Sequence, residues 1–309
     1  MTRQELHSHL DGYIALRAAL GYKVQRARLD LNDFLQYIER HAPDLPISAQ
    51  LALDWACSVR YAAGGQAGRL SRVRGFLYYL RASEPATEVP EFGLIATPRR
   101  SNPYIYSPEQ IRKLIHTAEE LEPLLSLRPH TYATMIGLMA SSGLRMGEAL
   151  RLTDTDVRVA DSQPVLMIRE SKFRKSRVVP VHATVADRLG AYRLKRGRSE
   201  SFFKNEGNKP LSASSVWTTF DEIRNRAGIQ ATPDGRRPTL RALRHTFAVN
   251  RILDWYQQGL DVNRWLPHLS VYMGHVEPRD TYWYLSATPE LLRRASDSFK
   301  HYAGKEDAS

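Results

Sequence analysis

Residues 131–152 read TYATMIGLMASSGLRMGEALRL, and the rest of the chain is best understood outward from them. The segment 131–142 is apolar on every face, which predicts a helix buried on all sides. Gly143 stops it, because glycine readily takes the left-handed conformation that closes a helix. Arg145 follows at once, and 146–152 predicts a second, short helix carrying Glu148 three residues beyond the arginine. The apolar run from Thr131 to Leu144 is too short for a bilayer, which needs roughly 18–20 residues. The centre of the chain therefore reads as the helical core of a soluble domain.

Downstream, 164–169 and 177–182 are β-branched runs flanking the basic turn Ser171-Lys172-Phe173-Arg174-Lys175. They predict a hairpin, with 156–159 a candidate third strand. Further helices are predicted over 213–227, 241–258, 261–273 and 289–302, the first two closed by Gly228 and Gly259. Upstream, Ser107-Pro108-Glu109-Gln110 supplies a capping serine, a first-turn proline and a glutamine at the third helical position. Prolines at 85, 90, 98 and 103 interrupt every candidate element from 83 to 103. Before them come four apolar stripes at helical spacing: Leu6, Leu10, Tyr13 and Ile14; Leu31, Phe34, Leu35 and Ile38; Leu51, Trp55 and Val59; Leu70, Val73, Leu77 and Leu80. The expected fold is mainly α with a small antiparallel β hairpin or sheet. Its expected organisation is a helical domain over 1–82, a linker over 83–103 and a second domain over 104–309.

Composition narrows the partner. The 309 residues carry 44 Lys and Arg against 33 Asp and Glu, a net charge of +11. Such an excess points to a polyanion, nucleic acid or a membrane surface. Both halves share it, with 13 basic against 10 acidic residues in 1–103 and 31 against 23 in the remainder. A membrane-surface helix would concentrate basic charge in one segment; none does so here, and nucleic acid is favoured. Cys57 is the one cysteine, which excludes an internal disulfide and a cysteine-built metal site. No secretory signal opens the sequence, and a cytoplasmic, nucleoid-associated bacterial protein is expected.

Three segments could carry chemistry. Gly143-Leu144-Arg145-Met146-Gly147-Glu148 pairs an arginine with a carboxylate. Arg241-Ala242-Leu243-Arg244-His245 opens a helix with two arginines and a histidine. Met273-Gly274-His275 precedes Tyr284 by nine residues, inside Asp280-Thr281-Tyr282-Trp283-Tyr284-Leu285. Each has a bland reading alone: a capping arginine, a core histidine, an aromatic packed in the interior. Together and in this order, with Lys172 in the hairpin turn, they resemble the tyrosine recombinase (phage integrase) family. The stretch 280–292 looks most like recombinases and transposases of mobile elements that encode several such enzymes together.

The resemblance implies an N-terminal helical core-binding domain of SAM-like type joined to a catalytic integrase domain. It implies a site-specific recombinase that cleaves and rejoins DNA through a 3′-phosphotyrosine, in integration or transposition. Tyr284 is then the nucleophile, with Tyr282 the alternative. Arg145, Arg244 and His275 would hold the scissile phosphate, since guanidinium groups offer fixed forks of donors to its oxygens. Lys172 would protonate the leaving 5′ oxygen, with Lys175 its rival. Glu148 and His245 would stand behind these groups. Neither a metal nor another cofactor is implied, and the histidines lack the paired spacing of a zinc site. The implied partners are a double-stranded recombination site and other copies of the chain, as a homotetramer on DNA, with sister recombinases an open possibility and no membrane. The helix over 289–302 is the candidate for exchange between copies.

One residue departs from the family pattern. Arg241 stands where the family places a histidine; as a site residue it would donate to the phosphate or the DNA, since arginine cannot act as a base. The base is then open between Tyr284's neighbours, His245 and His275 among them. Two further readings stay open: a type IB topoisomerase-like strand relaxation, and a DNA-binding accessory protein with weakened catalysis.

Overall fold

The computed structural model describes residues 2–42, 46–97, 102–169, 176–275, 277–286, 291 and 293. They form two compact units that divide at Ser101 and Asn102. The first contains α1 (Arg3–Ala19), α2 (Gln25–His41), α3 (Ala49–Cys57) and α4 (Ala63–Leu80). Their apolar stripes meet in a core built around Leu10, Phe34, Trp55, Phe76 and Leu77. Thr2 accepts a hydrogen bond from the Glu5 amide while Glu5 accepts from the Thr2 amide, which sets the start of α1. Asp30 is buried between Arg26 and Arg72, and Arg69 lies 3.9 Å from the Trp55 ring centroid. The proline-rich stretch after α4 is not free chain at its beginning. Its Glu88 amide donates to the Ile47 carbonyl at 2.9 Å, and Val89 and Ile95 pack against the core. Cys57, the last residue of α3, is exposed.

The second unit holds α5 (Pro108–Glu119), α6 (Leu127–Ser142) and α7 (Met146–Leu150), then a 3₁₀ turn at Asp154–Asp156. Strands β1 (Val157–Arg158), β2 (Val165–Ile168) and β3 (Arg177–Pro180) follow as one antiparallel sheet in that order, with Leu166 opposite Val179 and Ile168 opposite Arg177. Next come α8 (Ala183–Arg196), α9 (Ala213–Arg226), α10 (Leu240–Gln257), α11 (Val262–Met273) and α12 (Arg279–Tyr282), and a 3₁₀ turn at Trp283–Ser286. The all-apolar reading of 131–142 holds: α6 is the central rod, buried among α5, α8 and α10.

Sequence periodicity missed α8. Its buried residues are Ala186, Leu189, Tyr192 and Arg196, so two large apolar side chains and an arginine stem make its inner face. Arg196 reaches the core beside Phe202 and pairs with Asp154 at 2.5 Å. The predicted turn over 171–175, with Lys172 and Lys175, lies outside the described residues, as does the predicted helix over 289–302 apart from Leu291 and Arg293.

Candidate active site

Two left-handed glycines build the frame. Gly143 closes α6 at φ +62, and Gly274 closes α11 at φ +67. Neither position would accept a side chain: a Cβ on Gly143 would lie 2.5 Å from Phe247 Cδ1, and one on Gly274 would lie 2.7 Å from Arg177 Nη1. Each cap turns the chain sharply and leaves carbonyl oxygens facing the same point.

Two arginines converge there. Arg244, on the first turns of α10 and 5% exposed, donates from Nη1 to the Gly143 carbonyl at 2.6 Å and from Nη2 to the Met273 carbonyl at 2.7 Å. Arg145, the N-cap of α7, donates from Nη2 to the Gly274 carbonyl at 3.1 Å and from Nη1 to Glu148 at 2.8 Å. Residues more than a hundred positions apart thus share one pocket. Burial, followed by the charge of Arg145, lowers the Arg244 pKa to about 10; the group stays charged at neutral pH.

Glu148 is the hub. Burial acts to raise its pKa, but hydrogen bonds and charge from Arg177 and Arg145 overcome this and hold it down to about 2. Its Oε2 accepts from the Arg145 amide at 3.0 Å and from Arg177 Nη2 at 3.0 Å, while Oε1 accepts from Arg177 Nη1 at 3.1 Å. Two guanidinium groups, Arg145 and Arg177, pair with this one carboxylate and Arg244 lies within its electrostatic reach, so the cluster keeps surplus positive charge, the property a phosphate diester needs. Arg177, the first residue of β3, went unnoticed in the sequence, where it reads as an ordinary strand end. Its Nε donates to the Tyr272 carbonyl at 2.7 Å, so it ties the hairpin to the end of α11.

His275 follows the α11 cap. Arg244 Nη2 lies 3.0 Å from its Nε2, and its Nδ1 lies 2.6 Å from Thr281 Oγ1. A guanidinium only donates, so Nε2 must be the acceptor and Nδ1 carries the proton. Tyr284 is 2% exposed in the 3₁₀ turn after α12, its ring stacked on His275 with centroids 6.2 Å apart. Its hydroxyl lies 3.0 Å from His245 Nδ1. Tyr282 is 43% exposed, and Arg241 is exposed on the first turn of α10. The structure therefore brings together Arg145, Glu148, Arg244, His245, His275 and Tyr284 and leaves Tyr282 and Arg241 at the surface.

The profile of the phage integrase family matches residues 105–290. The chain belongs to the phage integrase family. Among integrase-family relatives, y4rB of Sinorhizobium fredii, which carries an integrase/recombinase name, is 39% identical over 92% of this chain and 93% of its own length. A second protein of that organism with the same kind of name, y4rE, is 36% identical over 94% of this chain and 95% of its own length. The integrase fold is shared with the structure of the Tn1549 transposon integrase in complex with transposon right end DNA. That structure has a TM-score of 0.68 at 14% identity, covering 98% of this chain and 100% of the other.

Proposed function

We propose that this integrase-family chain is a site-specific recombinase that cleaves one DNA strand with Tyr284, holds the 3′ end as a phosphotyrosine, and passes it to a new 5′ hydroxyl. The observation that carries this reading is the meeting of Arg145, Arg244 and His275 beside the Tyr284 ring. A phosphoryl transition state gathers charge on its non-bridging oxygens, and preorganised donors stabilise it there. A tyrosyl ester conserves the bond for rejoining, which hydrolysis would lose. Lys172 protonates the departing 5′ oxygen in this scheme, with Lys175 the alternative.

The named relatives favour recombination over strand relaxation, and the assembled cluster favours an enzyme over a weakened accessory protein. Assembly as a tetramer on two duplexes fits the fold, since lambda integrase, whose structures share it, has been crystallised as a tetramer on a Holliday junction. A cavity of about 370 Å³ lined by Phe247, Trp255, Trp265, Leu269 and Tyr272 offers an apolar seat for the exchanged segment 289–302 of another copy. Two relatives in one Sinorhizobium strain fit the reading that sister recombinases act together. No helix among the described residues is long and apolar enough to cross a membrane, and the enzyme works where its DNA is.

The test is covalent capture on a nicked duplex, selected from a random-sequence pool by adduct formation with the wild-type chain. Tyr284→Phe should abolish the adduct while leaving DNA binding in place, and Tyr282→Phe should retain it. Loss with Tyr282→Phe and activity with Tyr284→Phe would overturn the assignment. Lys172→Ala should slow cleavage sharply, and a 5′-bridging sulfur should restore much of the rate, because a thiolate leaves without a proton. Equal damage on both substrates would remove Lys172 from the acid role.

A further inference from the structure

The scheme above leaves the nucleophile's own proton without a destination, and the geometry at Tyr284 supplies one. We infer that His245 is a catalytic residue, the base that takes the Tyr284 proton in cleavage and the acid that returns it in rejoining. The inference rests on the reading of Tyr284 as nucleophile. His245 Nδ1 stands 3.0 Å from the Tyr284 hydroxyl, within direct proton-transfer reach. Both side chains are buried, and Trp283 packs edge-on against the imidazole with ring centroids 5.6 Å apart. The ring therefore has little freedom to leave the hydroxyl.

The other basic groups described around Tyr284 are disqualified by their own contacts. His275 uses Nε2 to accept from Arg244 and Nδ1 to donate to Thr281; protonating Nε2 would set an N–H against a guanidinium. Arg244 and Arg145 are cations with no acceptor capacity. Arg241 is a cation too, and it sits exposed. Histidine is also the side chain whose ordinary pKa, about 6.5, suits base work near neutrality.

The step balances. The Tyr284 hydroxyl proton moves to His245 Nδ1 as Oη bonds to phosphorus and the P–O5′ bond breaks, the departing oxygen taking a proton from the acid proposed above, Lys172 or Lys175. In rejoining, the 5′ hydroxyl attacks phosphorus and returns its proton to that acid. The P–Oη bond breaks, and the phenolate recovers its proton from the imidazolium. The groups facing this exchange are Arg244 beside His245 on α10, Arg145 from α7, His275 from the end of α11, and Tyr284 itself. The two arginines oppose a third positive charge in the free protein, and a bound phosphate diester offsets them.

The experiment is single-turnover adduct formation by the full-length chain on the duplex used above, followed from pH 5.5 to 9.5. His245→Asn keeps a hydrogen-bonding group near the Nδ1 position but cannot accept the proton. It should slow the adduct by about 10²–10⁴-fold near pH 7, while DNA affinity and melting temperature stay near wild type. The wild-type rate should rise through the imidazole range and level off. The Asn variant should climb steadily with pH toward tyrosine's own ionisation, near 10. In His245→Ala, added imidazole should recover part of the rate. An Asn variant within a few-fold of wild type overturns the inference, and so does a slow variant that keeps the wild-type pH profile, which would mark His245 as structural. Failure of the wild-type chain to form any adduct through Tyr284 would instead sink the recombinase reading and this inference with it.

Discussion

At the scale of single residues, the most consequential side chain is one that no motif announced. Arg177 supplies two of the donors that fix Glu148, and Glu148 in turn accepts from Arg145. Arg177→Ala should cut the cleavage rate by roughly 10–100-fold, since a positioning shift of about an ångström can cost that much, and leave DNA affinity within a few-fold; Arg177→Lys should recover little, because an ammonium cannot make the paired contact. An unchanged single-turnover rate would show that Arg145 holds its place alone. Glu148 gives a pH signature. Its pKa is about 2 in the fold against 4.5 for a free side chain. The carboxylate therefore stabilises the protein fully above about pH 4.5, and that contribution disappears as pH falls toward 2. A displacement of this size corresponds to on the order of 3 kcal/mol. Glu148→Gln should be less stable than wild type by about that much at pH 7, with the gap closing near pH 2.5 in urea unfolding; a gap independent of pH would mean the loss is one of packing. Arg145, Glu148, Arg244, His275 and Tyr284 could be picked out beforehand because their order along the chain resembles the family's motifs, and the fold brings them together. Arg177 could not, because its role exists only after β3 lies beside the end of α11.

At the scale of elements, helix ends decide the site more than helix bodies do. Gly143 and Gly274 both cap at positive φ, but a methyl group meets different neighbours at each. On Gly143 it meets the buried Phe247 ring, so Gly143→Ala combines left-handed strain with overpacking. The expected loss is about 3 kcal/mol, seen as a fall in Tm of roughly 6–12 °C. On Gly274 it meets the Arg177 guanidinium, which can move only by releasing Glu148. Gly274→Ala should therefore lose cleavage more than stability. Gly259→Ala, at φ +68 with nothing within 4 Å, is the control, expected to show backbone strain of about 1 kcal/mol alone. Equal melting temperatures for the Gly143 and Gly259 variants would count against the Phe247 clash. Most helices could be read from the sequence because one face is continuously apolar. α8 could not, since Arg196 does the work of an apolar residue there, its stem in the core and its charge against Asp154; pattern reading scores such a residue as polar.

At the scale of the whole molecule, both units carry positive charge, and the net +11 is spread along the chain. Duplex binding should release counterions, so affinity should fall by roughly 10³-fold or more between about 50 and 200 mM salt if six or more phosphates are contacted. Residues 1–101 alone, which have their own core, should bind more weakly and with a shallower slope. A flat salt dependence of the full chain would argue against a broad electrostatic footprint. The two-part organisation could be anticipated from the prolines, but their spacing did not show that Glu88, Val89 and Ile95 belong to the helical unit; that depends on a main-chain bond to Ile47, which no local pattern encodes. The sole cysteine, finally, sits exposed at the end of α3. The wild-type chain can thus carry one maleimide dye at one known address, on the helical unit, with no engineered background. Energy transfer from that dye to a fluorophore on the DNA would time the arrival of the helical unit independently of bond breakage, and so separate a variant that docks slowly from one that docks normally and cannot cut.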